Sequence, residues 1–203
     1  VKHPKGNVPI VSFSEFPVFM VPDEEYPNAN IIDFEMLYKE LVAGGTTIKK
    51  VGFVGSSSIP YQVYSEFEKG FKGIEICDIT DSYEKMRAYK SSWELENILK
   101  ATSLTDLAYH KMTKKIAPDA FEYEVAAAGE VVCRANGANS FAYSTIVGSG
   151  ERAKAVVPTA TNKKMEAGEL VMIGIAPRFN GYAGTFGDTL PVSGTFTQKQ
   201  KDC

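Results

Sequence analysis

Leu170-Val171-Met172-Ile173-Gly174-Ile175-Ala176 leads through Pro177-Arg178-Phe179-Asn180-Gly181 into Tyr182-Ala183-Gly184-Thr185-Phe186-Gly187-Asp188-Thr189-Leu190. Two β-rich runs, Leu170 to Ala176 and Tyr182 to Leu190, flank an Asn-Gly pair. That pair is a hairpin signal, because the tight turn needs residues that tolerate positive φ. Alternation puts Met172, Gly174 and Ala176 on one face of the first strand, and Ala183, Thr185 and Gly187 on one face of the second. Five of these six residues are small. Such a face either lies under a closely packed helix or floors a cavity. Positions 174 and 185 are opposite or one diagonal step apart across the hairpin, about 5 to 8 Å between neighbours.

Upstream of the hairpin, Ser140 to Val147 reads as a strand running into Gly148-Ser149-Gly150. Before it, Glu122 to Asn136 is an alanine-rich amphipathic helix ended by Gly137, and Pro118-Asp119 breaks the preceding helix. That earlier helix is capped by Ser91 or Ser92, with Glu94 and Glu96 complementing its positive end. Leu95, Ile98, Leu99, Ser103 and Leu107 keep helical spacing, and the pattern runs to Ile116. Nearer the start, Val8 to Val11 and Phe16 to Val21 read as strands and Pro22 to Pro27 as a loop. Asp33 caps a helix over Phe34 to Ala43 that Gly44-Gly45 stops. Lys50 to Val54 and Gly73 to Cys77 are further strands, with a helix from Pro60 to Glu68 between them. The predicted organisation is an α/β unit over residues 1–82 and an α+β unit over 83–203, joined through Tyr83 to Lys90.

Composition narrows the function. The chain has 203 residues, with 22 basic against 25 acidic side chains and a net charge of −3. A sequence-blind nucleic-acid binder needs a basic face, so that class is disfavoured. No apolar run reaches a membrane span, and Val1-Lys2-His3-Pro4-Lys5-Gly6 contains no apolar signal core. Three scattered cysteines, Cys77, Cys133 and Cys203, without a Cys-x-x-Cys pair fit a reducing, cytoplasmic setting. There are two histidines, His3 and His110, so a two-histidine metal site or a Ser-His-Asp triad must draw on them. His110 falls mid-helix and reads as a surface or half-buried helix residue, and Cys133, within a helix, suits packing better than reaction. Gly52-Phe53-Val54-Gly55-Ser56 follows a strand, with Glu75 at the offset of a ribose-binding acid. Its glycine spacing is wrong for a dinucleotide site, and an ordinary serine-capped turn is the better reading.

Four stretches carry a family resemblance. They are Arg87-Ala88-Tyr89-Lys90-Ser91-Ser92-Trp93-Glu94-Leu95, Ile116-Ala117-Pro118-Asp119-Ala120-Phe121-Glu122, Ser144-Thr145-Ile146-Val147-Gly148-Ser149-Gly150, and Gly168 to Gly174 followed by Asn180-Gly181-Tyr182. In this order and spacing they resemble the creatinase/prolidase/aminopeptidase P family, the "pita-bread" fold. The resemblance covers nearly all of Met86 to Gly194. Residues 50–79 resemble the second half of that family's smaller N-terminal domain. The fold expected is therefore an α/β N-terminal domain plus an α+β pita-bread C-terminal domain, incomplete at both ends. Thr197 to Asp202 reads as the start of a helix.

The resemblance also shows what differs. Metallopeptidases of the family hold two divalent metals through two aspartates, one histidine and two glutamates. The aspartate positions are matched here by Gly174 and Thr185, the substrate-side histidine by Val157, and the arginine after the second aspartate by Asp188. Glycine offers no ligand, and a threonine hydroxyl is a poor neutral one for a doubly charged ion. No metal and no other cofactor is therefore expected. The resemblance implies Gly174, Arg178, Tyr182, Thr185 and Val157 as substrate-binding positions, with catalytic residues beyond Cys203. Three readings stay open. One is a metal-independent hydrolase acting on a C–N bond of a small amide, amidine or peptide. The others are a non-catalytic binding member of the fold, and an Xaa-Pro dipeptidase-like metallopeptidase with unusual ligands. A homodimer binding a small molecule or short peptide is implied, with no nucleic-acid or membrane partner.

Overall fold

A computed structural model describes residues 34–45 and 47–202, together with the backbone pairing of Lys2–His3 (β1) and Gly6–Asn7 (β2). The strands expected at Val8 to Val11 and Phe16 to Val21, the loop after them and the Asp33 cap lie outside the described residues. The chain divides into two compact units, Val1–Ala88 and Tyr89–Cys203.

In the first unit α1 (Phe34–Ala43), β3 (Lys50–Phe53), α2 (Tyr61–Gly70), β4 (Glu75–Asp78) and α3 (Thr80–Ala88) follow one another. β3 and β4 pair in parallel from Lys50↔Glu75 to Phe53↔Asp78, and α2 is the crossover that parallel pairing requires. Phe53, Phe67 and Phe71 are buried, and Phe53 and Phe67 meet edge to face at 5.1 Å. α1 comes so close to α2 that a Cβ on Gly70 would fall 2.5 Å from Phe34 Cβ, so this contact needs glycine. The Gly-Ser turn after β3 is closed from β4. Ser56 Oγ and Thr80 N donate to the Asp78 carboxylate, and Gly55 N donates to Thr80 Oγ1 at 2.9 Å. Glu75 forms an exposed ion pair with Lys50. Helix α3 occupies most of the stretch expected to be a linker, and the division falls after Ala88, within the Tyr83 to Lys90 junction. It buries no side chain, so its sequence carries no apolar stripe to announce it.

The second unit opens with α4 (Ser92–Thr113) and α5 (Glu122–Ala135). Ser91 is the cap of α4: its Oγ accepts from Glu94 N, and the Glu94 carboxylate accepts from Ser91 N at 2.7 Å. The helix ends at Thr113, short of the predicted Ile116. There follow β5 (Ser140–Phe141), β6 (Ile146–Ser149), a 3-10 helix (Gly150–Lys154), β7 (Leu170–Ile175), β8 (Pro177–Phe179), β9 (Tyr182–Ala183), β10 (Phe186–Pro191) and α6 (Gln198–Lys201). One antiparallel sheet has the order β10-β7-β6 and a second the order β5-β8-β9. Asn180 and Gly181 take positive φ of 49° and 83°, which makes the predicted turn.

Two expected strands are each broken in two. Ser140 to Val147 changes partner from β8 to β7, and Tyr182 to Leu190 changes from β8 to β7. The second break lies at Gly184, where a Cβ would sit 2.6 Å from the backbone of Thr102 in α4. The core joins Leu104, Ala108 and Met112 of α4, Val125 and Cys133 of α5, and Val147, Val171, Ile173 and Ile175 of the larger sheet. Beside it lies a fully buried carboxylate, Glu122. It accepts from Ser149 N and Oγ, Arg152 Nε, and Thr161 N and Oγ1.

Candidate functional site

The β10-β7-β6 sheet has two different faces. Ile173 and Ile175 enter the helical core, and their cross-strand partners Asp188 and Phe186 share that face. There Tyr109 of α4 donates its hydroxyl to the Asp188 carboxylate at 3.0 Å and packs edge-on against the Phe186 ring at 5.3 Å. The acceptor carboxylate and burial hold the Tyr109 phenol above its ordinary value. The opposite face carries Met172 and Gly174 of β7, Ile146 of β6 and Gly187 and Thr189 of β10. Gly174 pairs with Gly187, so Thr185, two residues back, is the diagonal neighbour of position 174 rather than its opposite.

This second face floors an open cleft of about 700 Å³, lined by Tyr143, Ile146, Met172, Thr185, Gly187 and Thr189 together with edges of Ile173, Phe186 and Asp188. Among the described residues the nearest neighbours of a Cβ at Gly174 belong to the sheet and not to a helix. A Cβ there would meet the Phe186 carbonyl at 3.2 Å and Ile146 at 3.4 Å, and one on Gly187 would find only the Ile173 carbonyl at 3.9 Å. Close helix packing occurs instead at Gly184. Gly184 lies outside the six-residue pattern, which alternation placed on the other face; of that pattern Met172, Thr185 and Gly187 line the cleft. Across the cleft the hydroxyls of Tyr143 and Thr185 are hydrogen-bonded at 2.6 Å.

Of the predicted binding positions, Thr185 lines the cleft, whereas Gly174 is buried within the sheet, paired with Ile146 and Gly187, and is not a lining residue. Arg178, Tyr182 and Val157 are not among the lining residues. Arg178 is half-buried on β8, paired with Ser140 and Ala183. Tyr182 donates to Glu94 at 3.0 Å and stands edge-on to Trp93 at 5.8 Å, tying β9 to the start of α4. Val157 is exposed on the loop after the 3-10 helix. Tyr143 is the cleft residue that the sequence did not single out. It stands 42 positions before Thr185, and no local spacing links the two.

A pair of divalent ions needs anionic oxygens around it. Positions 174 and 185 offer one neutral hydroxyl, and Asp188 turns its carboxylate to Tyr109 on the other face. Among the described residues no group of three or more His, Cys, Asp or Glu could hold a metal ion. The described residues therefore do not fit the metal pair of the resembling peptidases. Cys133 is buried in the core, and burial pushes its thiol up to about 11, which keeps it protonated and unreactive. Among the described residues no helix is long and apolar enough to cross a membrane.

Comparison with known proteins places this geometry. Residues 96–203 match the model of metallopeptidase family M24. The chain is 37% identical over 120 residues to an Xaa-Pro aminopeptidase of Escherichia coli (strain K12), an alignment covering 58% of the chain and 27% of that protein. It is 33% identical over 155 residues to an Xaa-Pro dipeptidase of Pyrococcus horikoshii, covering 76% of the chain and 43% of the relative. The solved prolidase from Pyrococcus horikoshii OT3 superposes with a TM-score of 0.75 at 30% identity, over 87% of this chain and 49% of that one. The chain belongs to metallopeptidase family M24, and its fold is that of the prolidases and aminopeptidases P. It spans at most about half the length of these relatives.

Proposed function

We propose that the protein is a hydrolase that binds a small amide, amidine or short peptide in the cleft and acts on its C–N bond without a metal pair held at positions 174 and 185. One observation carries this reading: the two positions that the resemblance matches to metal-binding aspartates are a buried glycine, Gly174, and a cleft-lining threonine, Thr185, whose hydroxyl bonds to Tyr143. In this half of the site the chain supplies binding. Tyr143, Thr185 and Thr189 offer hydroxyls, and Ile146 and Met172 offer an apolar wall. Cytoplasmic residence and a homodimer are part of the same proposal, supported by the scattered thiols and by the family.

A second reading is an Xaa-Pro dipeptidase-like metallopeptidase with a different ligand set, favoured by the names of the relatives. Elemental analysis and a chelator test separate the two. The full-length protein is expected to carry well under one zinc, manganese or cobalt per chain, and to cleave small amides or Xaa-Pro peptides equally well after chelation. About two tightly held metals per chain, with cleavage lost on their removal, would overturn the first reading and establish the second. Binding without turnover would favour the non-catalytic member.

A further inference from the structure

We propose that the Tyr143–Thr185 hydroxyl pair recognises a group presenting a carbonyl oxygen and an N–H side by side, such as a primary amide, a urea or a lactam, and discriminates against a carboxylate. This rests on the reading that the cleft binds an amide-bearing ligand. The two oxygens are 2.6 Å apart, close enough for one full hydrogen bond. That bond consumes one of the two hydroxyl protons, whichever residue donates. The accepting hydroxyl keeps its own proton, and the donating oxygen keeps its lone pairs. The pair therefore presents one donor and one acceptor next to each other.

A primary amide presents the complement, with its carbonyl oxygen and its nitrogen on one carbon. Docked edge-on, it closes a ring of three hydrogen bonds that run in one direction and polarise one another. A carboxylate brings two acceptors and no donor, so it satisfies one partner and sets lone pair against lone pair at the other. Its charge also finds no compensation. Among the described residues no Lys, Arg or His lines the cleft, and Asp188, the charged residue at its edge, is engaged by Tyr109 Oη and Thr189 N. Thr185 is exposed and Tyr143 half-buried, so both hydroxyls can be reached. Beneath them Gly187 leaves the floor open.

The test uses the full-length protein and two ligands of one skeleton, N-acetylprolinamide and N-acetylproline, titrated calorimetrically at neutral pH. The amide is expected to bind at least about tenfold more tightly than the carboxylate. Tyr143→Phe and Thr185→Val should each weaken the amide by about tenfold and narrow the gap, while Thr185→Ser, which keeps the hydroxyl, should preserve it. Thermal melts establish that each variant is folded. Carboxylate binding equal to or tighter than amide binding overturns the proposal and leaves the amide-cleft reading standing. A preference unchanged in both Tyr143→Phe and Thr185→Val also overturns it, by placing recognition elsewhere. Failure of both ligands to bind overturns the proposal and the reading on which it rests.

Discussion

Gly184 and Gly187 lie three residues apart in one hairpin arm, yet adding a single methyl should have opposite consequences at the two positions. At Gly184 the new Cβ would lie 2.6 Å from Thr102 N and Cα and 2.7 Å from Ala101 C. These are backbone atoms inside α4, and they cannot rotate away as a side-chain tip would. Relief requires moving the helix or the strand, an overpacking cost of about 1 to 3 kcal/mol or more. At Gly187 the nearest atom would be 3.9 Å away, facing the cleft, and the φ there is open to any residue. Alanine there removes the entropy that glycine loses in a strand and should be neutral or stabilising by about 0.5 to 1 kcal/mol. The measurement is urea unfolding of Gly184→Ala and Gly187→Ala in the full-length protein, comparing midpoints at unchanged slope. A gap of about 2 kcal/mol or more is expected between them. Equal stabilities would refute the placement of α4 against Gly184, and a large loss at Gly187 would mean that the cleft is filled by protein.

Glu122→Ala should cost about 1 to 3 kcal/mol or more in the same assay, because it leaves the Ser149 and Thr161 backbone N–H groups without their acceptor, while Arg152 keeps the Thr159 carbonyl and partial access to water. A loss below about 1 kcal/mol would show that the carboxylate is not the hub described. Asp78 should titrate at about 2 rather than at the ordinary aspartate value of 3.8, because Ser56 and Thr80 donate to its charged form. A depressed folded pKa means that the clamp is fully present above pH 4 and is lost as pH falls towards 2. A carboxyl NMR titration centred near 3.8 would contradict it.

Local signals carried much of the fold. The Ser91–Glu94 box, the Asn180-Gly181 turn and the Thr197 cap of α6 all depend on residues within a few positions of one another, where sequence speaks directly. What failed depended on distant partners. The run from Ser140 to Val147 has uniform β character, and nothing in it marks where β8 gives way to β7 as its neighbour. Helix α3 is invisible because it buries nothing. At the site, the resemblance pointed to position 185, which lines the cleft, and to position 174, which does not. The Tyr143 contact and the Asp188–Tyr109 bond were not legible, since they join residues 42 and 79 positions apart. In the sequence Glu122 stands only as the first residue of a helix. Its burial follows from Ser149, Arg152 and Thr161, which reach it from three later segments.

That last arrangement imposes an order on the birth of the protein. Glu122 leaves the ribosome 27 residues before Ser149 and 39 before Thr161. At about 5 to 20 residues per second, its carboxylate waits roughly 2 to 8 seconds for its last donor. Until Ser149 and Arg152 are made, water is its only adequate partner, and burying the start of α5 before then would strand a bare charge. All the donors to Glu122 are made before Val171, Ile173 and Ile175, the strand residues of the core that α5 joins, so the carboxylate has its partners before the sheet that buries it is complete.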